Sequence, residues 1–288
     1  MMSFDGKTVV VTGGSSGIGR AAAIAFARAG ANVVVAGRSR ETKAGDFGEV
    51  AHLSVVDLLQ AEGRRAIFVQ ADVTVAGDMR AVADHAVQVF GSVDIWVNNA
   101  GVVAPPSPFW TYDDADFDRC LDVNCRGLWN GMRAATHQML RQERRGVIVN
   151  MLSTAAIRPH AGQSVYNISK AAAAQATRCA ALELGPLGIR VNGVCPTVVR
   201  TAISRDFVES PEFRQWFRTV APLGEPVDSE DVVAAILFLA GDAAARITGI
   251  LMPVDSGEAL GPPAHELKQE IQVGAPEEKT SLPLPTGR

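Results

Sequence analysis

Tyr166 and Lys170 stand four residues apart in a stretch, about 164–185, that reads as a helix, so their side chains share one face. An ammonium beside a phenol favours the phenolate. A tyrosine of ordinary pKa near ~10 can thereby be drawn toward acid–base work at neutral pH. The chain has only 2 tyrosines; Tyr112, the other, has no such partner in the sequence. A second cluster is rich in glycine. Thr12–Gly19 reads TGGSSGIG and sits between a β-branched run and an Ala-rich helical stretch reaching about Gly30. Glycines there permit a tight turn and close approach of a pyrophosphate, and the helix start supplies amide donors. The alternative is a plain strand-to-helix turn; the alternating pattern that follows favours a nucleotide site.

Those groups need a scaffold, and the hydrophobic runs supply one. Strands are expected at Lys7–Thr12, Asn32–Ala36, Ala66–Asp72, Val93–Asn98, Val147–Met151, Arg190–Cys195 and Ile250–Val254. Helical patterns fall between them at about 49–62, 76–90, 113–142, 164–185 and 228–241. Continuous apolar strands alternating with helices indicate a parallel sheet covered on both faces. The expected fold is therefore α/β, a Rossmann-type doubly wound sheet of seven parallel strands in a single domain over 1–260. Two segments break the rhythm: a polar, glycine-bearing loop at Ser39–Gly48, and a tail at 261–288 rich in Pro, Glu and Lys. The tail is expected to be mobile or to order against another subunit.

Composition narrows the function. In 288 residues, 47% are hydrophobic, enough for a packed core, and 27 Lys and Arg against 31 Asp and Glu leave a charge of -4. Such a chain has no general electrostatic drive onto nucleic acid or an anionic membrane. The four cysteines, Cys120, Cys125, Cys179 and Cys195, form no CxxC pair and no zinc-type spacing with His, so no metal is expected. Free thiols fit a reducing cytoplasm. Met1–Lys7 is short and polar, unlike a signal peptide, and no apolar run approaches a membrane span.

TGxxxGIG at Thr12–Gly19, NNAG at Asn98–Gly101, Ser153, and YNISK at Tyr166–Lys170 together resemble the short-chain dehydrogenase/reductase family over about 5–260. Each motif alone is common; their order, with Ser153 thirteen residues before Tyr166, carries the resemblance. It implies a catalytic tetrad of Asn124, Ser153, Tyr166 and Lys170. Tyr166 would give a proton to the new alkoxide in ketone reduction and remove it in alcohol oxidation. Ser153 would hydrogen-bond the substrate oxygen. Asn124 would anchor a water linking Lys170 to solvent, and Lys170 would bind the nicotinamide ribose. The same resemblance assigns cofactor contacts to Gly13, Ser15, Ser16, Gly17, Ile18, Gly19, Asp72, Val73, Asn99, Ala100, Gly101, Pro196, Val199 and Thr201, with Asn98 bracing the sheet.

The end of the second strand reads Ala36-Gly37-Arg38-Ser39. An acid at position 37 would accept bonds from an adenosine ribose and repel a 2′-phosphate. With Gly37 there and Arg38 and Ser39 following, NADP(H) is the expected cofactor, NAD(H) the alternative. Arg40 or Lys43 could add a phosphate contact, and Asp46 could repel one. In the segment CPTVVRT, Thr197 stands where the family usually has glycine, which leaves the local backbone shape open. Cys195 reads as a small buried residue.

Substrate contacts are expected from Val102–Pro108, Thr154–Gln163 and Thr201–Gly224. The last carries Phe207, Phe213, Trp216 and Phe217, either a lid over an apolar pocket or rings packed on the domain or a neighbouring subunit. His160 and Gln163 could touch a polar group of the substrate, although a lone loop histidine is usually solvated. No basic cluster marks a surface for an acyl-carrier protein. The expected partners are a small carbonyl or alcohol substrate and further copies of the chain, as homotetramer or homodimer. The competing reading is a nucleotide-sensing or scaffold protein with little turnover, against which the complete tetrad argues.

Overall fold

The computed structural model describes residues 3–41, 53–201 and 204–262. Its elements in chain order are β1 (Thr8–Thr12), α1 (Gly17–Arg28), β2 (Asn32–Gly37), α2 (Val55–Ala61), β3 (Ala66–Gln70), α3 (Ala76–Phe90), β4 (Ile95–Asn98), α4 (Asp114–Leu121), α5 (Leu128–Arg141), β5 (Gly146–Met151), α6 (Ser164–Leu184), β6 (Ile189–Pro196), β7 (Val199–Arg200), α7 (Arg205–Glu209), α8 (Pro211–Val220), β8 (Val227–Asp228), α9 (Ser229–Ala240) and β9 (Leu251–Val254). Seven strands form one parallel sheet in the order β3-β2-β1-β4-β5-β6-β9. The order reverses between β1 and β4, so a crevice opens at their carboxyl ends. β7 and β8 pair separately.

Strand residues alternate between two cores because successive side chains point to opposite faces. Val9 and Val11 join Phe26, Leu59, Ile236 and Leu239 on one face. Val10 joins Met79, Trp96, Met139 and Ile148 on the other. All of these side chains are essentially inaccessible, which is why the strands read as unbroken apolar runs.

The expected helix over 113–142 is interrupted. α4 runs into a π-helical stretch, Asp122–Gly127, and then into α5. The wider turn was invisible to a period-3.6 reading, and it holds Asn124. The helix expected from about 49 is described only from Val55, where Ser54 caps it by accepting the Asp57 amide at 3.1 Å. Residues 42–52, most of the polar loop with Lys43 and Asp46, lie outside the described residues, as do 202–203 and 263–288 of the tail. The segment after β6 contains two helices, α7 and α8, that no periodicity announced. Among the described residues no helix is long and apolar enough to cross a membrane.

A buried polar seam crosses the second core. Trp96 Nε1 donates to Asn98 Oδ1 at 2.8 Å, Asn98 Nδ2 to Asn150 Oδ1 at 2.8 Å, and Asn150 Nδ2 to Thr177 Oγ1 at 2.9 Å. It locks β4, β5 and α6 in register, the bracing role expected of Asn98. Gly131 of α5 lets the helix lie against this seam: a Cβ there would overlap Asn98 Oδ1 and come within 2.9 Å of Trp96 Nε1. Gly131→Ala is therefore expected to destabilise the fold by about 2–4 kcal/mol in urea unfolding; an unchanged midpoint would show that the seam tolerates the intrusion.

Candidate active site

The crevice is a cavity of about 800 Å³ that runs from Gly37, Arg38 and Asp72 at one end to Ser153, Tyr166 and Lys170 at the other. Of the expected cofactor residues, Gly13, Ser15, Ser16, Gly17, Ile18, Arg38, Ser39, Asp72, Val73, Asn99, Ala100, Gly101, Pro196, Val199 and Thr201 all line it. Gly19 does not. It packs beneath the turn, where a side chain would strike Gly13 O and Asn99 Nδ2.

The turn is fitted to an anionic group. α1 begins at Gly17 with no side-chain cap from Ser16, and Ser15, Ser16, Gly17 and Ile18 at its start line the cavity. Gly17 has φ 54°, and a Cβ there would stand in the open cavity facing Thr201 Cγ2 at 3.7 Å. Thr12 and Asn99 fix the turn. Thr12 Oγ1 accepts the amides of Asn99 at 3.0 Å and Ala100 at 3.2 Å, while Asn99 Nδ2 donates to Thr12 O at 3.0 Å and Gly13 O at 3.1 Å. The Asn99 side chain is thus a tie across the crevice as well as part of its wall. These features fit a dinucleotide, with its pyrophosphate at the α1 start.

At the far end Gly37 leaves room beside Ser15, whose Oγ donates to Ser39 O at 2.6 Å. Arg40 is turned away: it pairs with Asp57 and its Nε donates to Ser54 Oγ at 3.4 Å. Arg38 lines the cavity, and so does Glu41, an acid that the sequence reading did not single out. Asp72 is held below the usual carboxylate range, first by the Thr74 amide at 2.9 Å and then by the Thr74 hydroxyl at 2.8 Å, with a smaller contribution from Arg38.

The structure brings Ser153, Tyr166 and Lys170 together where β5 ends against α6. Lys170 Nζ donates to Met151 O at 2.9 Å and lies 5.7 Å from the centre of the Tyr166 ring. Burial pulls the Lys170 ammonium down to about 8. Burial likewise pushes the Tyr166 phenol up to about 12, with the Ser153 side chain the main opposing influence. The downward pull expected from Lys170 is not among the causes of that shift, whose direction desolvation sets. Asn124 is 1% exposed. Its Oδ1 accepts from Val102 N at 2.8 Å; its Nδ2 donates to Val102 O at 2.8 Å and to Ser169 Oγ at 2.9 Å. It therefore joins the loop after β4 to α6, one residue from Lys170.

In the remaining wall two open readings are resolved and one further residue is added. Thr197 has no positive φ, so glycine is not required there. Ser204 was not anticipated; its Oγ accepts from Thr201 N at 3.0 Å and donates to Val199 O, pinning Thr201 to the cavity. The aromatic rings of α7 and α8 pack on one another rather than lining the cavity. Phe213 and Phe217 are buried 5.5 Å apart, and Phe207 and Trp216 lean on Phe213 at 4.6 and 5.4 Å. The sequence could not separate a lid from such a cluster. Tyr112 acquires a role: its hydroxyl donates to Gly162 O at 2.6 Å and secures the loop before α6. Cys195 is buried, and burial pushes its thiol up to about 12, as suits an inert core residue.

A family model described as enoyl-(acyl carrier protein) reductase matches residues 13–258. The 3beta-hydroxysteroid dehydrogenase 1 of Eggerthella lenta is 39% identical over 258 residues, covering 89% of this chain and 95% of that protein. The L-rhamnose 1-dehydrogenase (NAD(P)(+)) of a Sphingomonas species is 37% identical over 260 residues, covering 89% and 98%. A short-chain type dehydrogenase/reductase from Mycobacterium ulcerans superposes with a TM-score of 0.82 at 29% identity, covering 94% of this chain and 96% of its own. With the glycine turn on α1, the reversed sheet order above it and the Ser153–Tyr166–Lys170 cluster at its mouth, these matches establish that the chain belongs to the short-chain dehydrogenase/reductase family of oxidoreductases.

Proposed function

We propose that this protein interconverts a ketone and a secondary alcohol, with NADP(H) as preferred coenzyme, NAD(H) as the lesser one, and Tyr166 as the acid–base group. The observation that carries the reading is that Ser153, Tyr166 and Lys170 line the same end of the cavity, opposite Gly37 and Arg38, with Lys170 Nζ 5.7 Å from the centre of the Tyr166 ring. When bound, the coenzyme supplies or accepts the hydride. In reduction, Tyr166 gives its hydroxyl proton to the substrate oxygen as negative charge develops there. Ser153 Oγ donates to the same oxygen and holds it in line. A phenol raised to about 12 keeps its proton at neutral pH, which favours its use as an acid. Lys170, through Met151 O, fixes the side of the cavity on which a ribose would lie. Asn124 holds the loop after β4 against α6, which supports a place for it in the proton path.

The coenzyme preference rests on Gly37 and Arg38. No acid stands at the β2 end, and with Arg40 committed to Asp57, Arg38 is the arginine that lines this end of the cavity. Glu41 nearby limits the preference, as does the similarity to a relative whose name includes NAD(P)(+). Relatives named for a hydroxysteroid and for L-rhamnose support a small hydroxyl-bearing substrate. Exposed Phe117 and Trp129 near α4 and α5, with Ile168 and Leu182 on α6, support assembly as a homotetramer or homodimer. Four free thiols support a cytoplasmic setting.

Tyr166→Phe is expected to lower kcat in NADPH-linked carbonyl reduction by about 10²–10⁴-fold while NADPH still quenches protein fluorescence with nearly the same Kd; undiminished turnover would remove Tyr166 from the reaction. Arg38→Leu should raise the NADPH KM about tenfold and leave the NADH KM within about twofold. Equal effects on both coenzymes would count against the phosphate contact.

The Lys170 shift gives a pH signature. Its folded value of about 8 lies below the ordinary 10.5, so the folded state carries a charge penalty below about 8 that disappears as pH rises to 10.5. Lys170→Met removes the penalty. Without coenzyme, its Tm relative to the parent protein should be most favourable below pH 8 and lose that advantage by about pH 10.5. A pH-independent difference would contradict the depressed ammonium.

A further inference from the structure

His160 is not the solvated loop histidine that its sequence position suggests. Its backbone is clamped by Asn167, the neighbour of Tyr166 on α6: Asn167 Nδ2 donates to His160 O at 2.8 Å and Asn167 Oδ1 accepts from His160 N at 3.4 Å. Each ring nitrogen faces a polar neighbour. Nε2 lies 3.2 Å from Thr154 Oγ1, and Nδ1 faces Glu258 Oε1 at 3.8 Å. Glu258 comes from the turn after β9, nearly a hundred residues along the chain, and its side chain is 6% exposed. Its Oε2 is buried without a hydrogen-bond partner. The 3.8 Å between Nδ1 and Oε1 is longer than a hydrogen bond, so Glu258 acts on the ring as a fixed acidic neighbour rather than as a direct acceptor. Arg158 Nη1 adds a bond to Glu258 O at 3.1 Å and ties the same turn to the same loop.

The ring itself remains 28% exposed, and it lines the cavity with Thr154 and Gln163, beside Ser153 and Tyr166. Val102, Val103, Leu152 and Val198 make much of the rest of this wall apolar. An imidazole held among a few polar groups in such a wall can orient a ligand. A carboxylate on the Nδ1 side favours the proton on that nitrogen and leaves Nε2 as an acceptor on the Thr154 side.

We infer that His160, backed by Glu258, is a specificity-determining residue whose Nε2 accepts a hydrogen bond from a second hydroxyl of the substrate, remote from the carbon that reacts, in place of its contact with Thr154. The substrate class is then an alcohol or ketone bearing a further hydroxyl on a partly apolar frame. The inference rests on the oxidoreductase reading above.

The test compares matched alcohols with and without the second oxygen: cyclohexanol against the 1,2-, 1,3- and 1,4-cyclohexanediols, oxidised by the coenzyme-loaded enzyme. The parent enzyme should favour at least one diol by about tenfold in kcat/KM. In His160→Phe that preference should collapse, mainly through KM, and Glu258→Gln should lose part of it. His160→Gln, which keeps a hydrogen-bonding group, should restore part of it. A second readout is the thermal shift that the favoured diol gives the enzyme–coenzyme complex, which His160→Phe should abolish while the coenzyme's own shift persists. No diol preference in the parent enzyme, or equal losses on cyclohexanol and diol in His160→Phe, overturns the subsite. Oxidation of none of these alcohols, with coenzyme still bound, overturns the oxidoreductase reading and the subsite with it.

Discussion

The stitch between Thr12 and Asn99 is the constraint on which the site depends. Parallel strands that diverge at a topological switch leave a gap, and a gap between two loops is only as well defined as the bonds across it. Here one hydroxyl accepts two amides and one carboxamide donates to two carbonyls, so the glycine turn after β1 and the loop after β4 form one surface. The start of α1 keeps its position relative to Gly101 because of that tie, and Gly101 in turn approaches Asn124 and Lys170. The glycine turn and the loop after β4 are therefore parts of one hydrogen-bonded framework, which in the proposed reaction would carry the cofactor and lead to Ser153, Tyr166 and Lys170.

Burial sets the chemistry inside that framework. The same desolvation that lowers Lys170 raises Tyr166, so the two groups move toward neutrality from opposite sides. In the proposed reaction a phenol that keeps its proton at neutral pH serves as an acid only if the developing charge appears within reach of its hydroxyl and that of Ser153. A site of that kind would answer charge that the reaction creates rather than hold much charge of its own.

Much of this was legible in the residues. Unbroken runs such as Val9–Val11 and Val33–Val35 declared a sheet buried on both faces, and the glycine turn declared which end of it mattered. That Ser153, Tyr166 and Lys170 would meet was legible because their spacing follows the end of β5 and the first turns of α6. What escaped was whatever depends on distant chain segments meeting. Nothing near His160 in sequence announces Glu258, nothing near Arg40 announces that Asp57 will claim it, and Ser204 gains its meaning only from how Thr201 folds back. The aromatic cluster of α7 and α8 was ambiguous for a different reason: a ring buried against its neighbours and a ring buried against a ligand have the same hydrophobicity.

The π-helical stretch between α4 and α5 carries one residue more than regular winding would use, and each residue of an α-helix advances the side-chain direction by about 100°. It therefore works as a phase shifter. Upstream, Cys120 points into the small core with Ala104 and Val165; downstream, Met132, Ala135 and Met139 point into the main one. A strict α-helix through this point would bring only one of those stripes home. The extra residue lets a continuous rod serve two interiors, with Asn124 at the place where its facing changes. Removing any single residue between Leu121 and Leu128 would therefore be felt along the whole of α5 as a rotation of its apolar stripe away from the sheet.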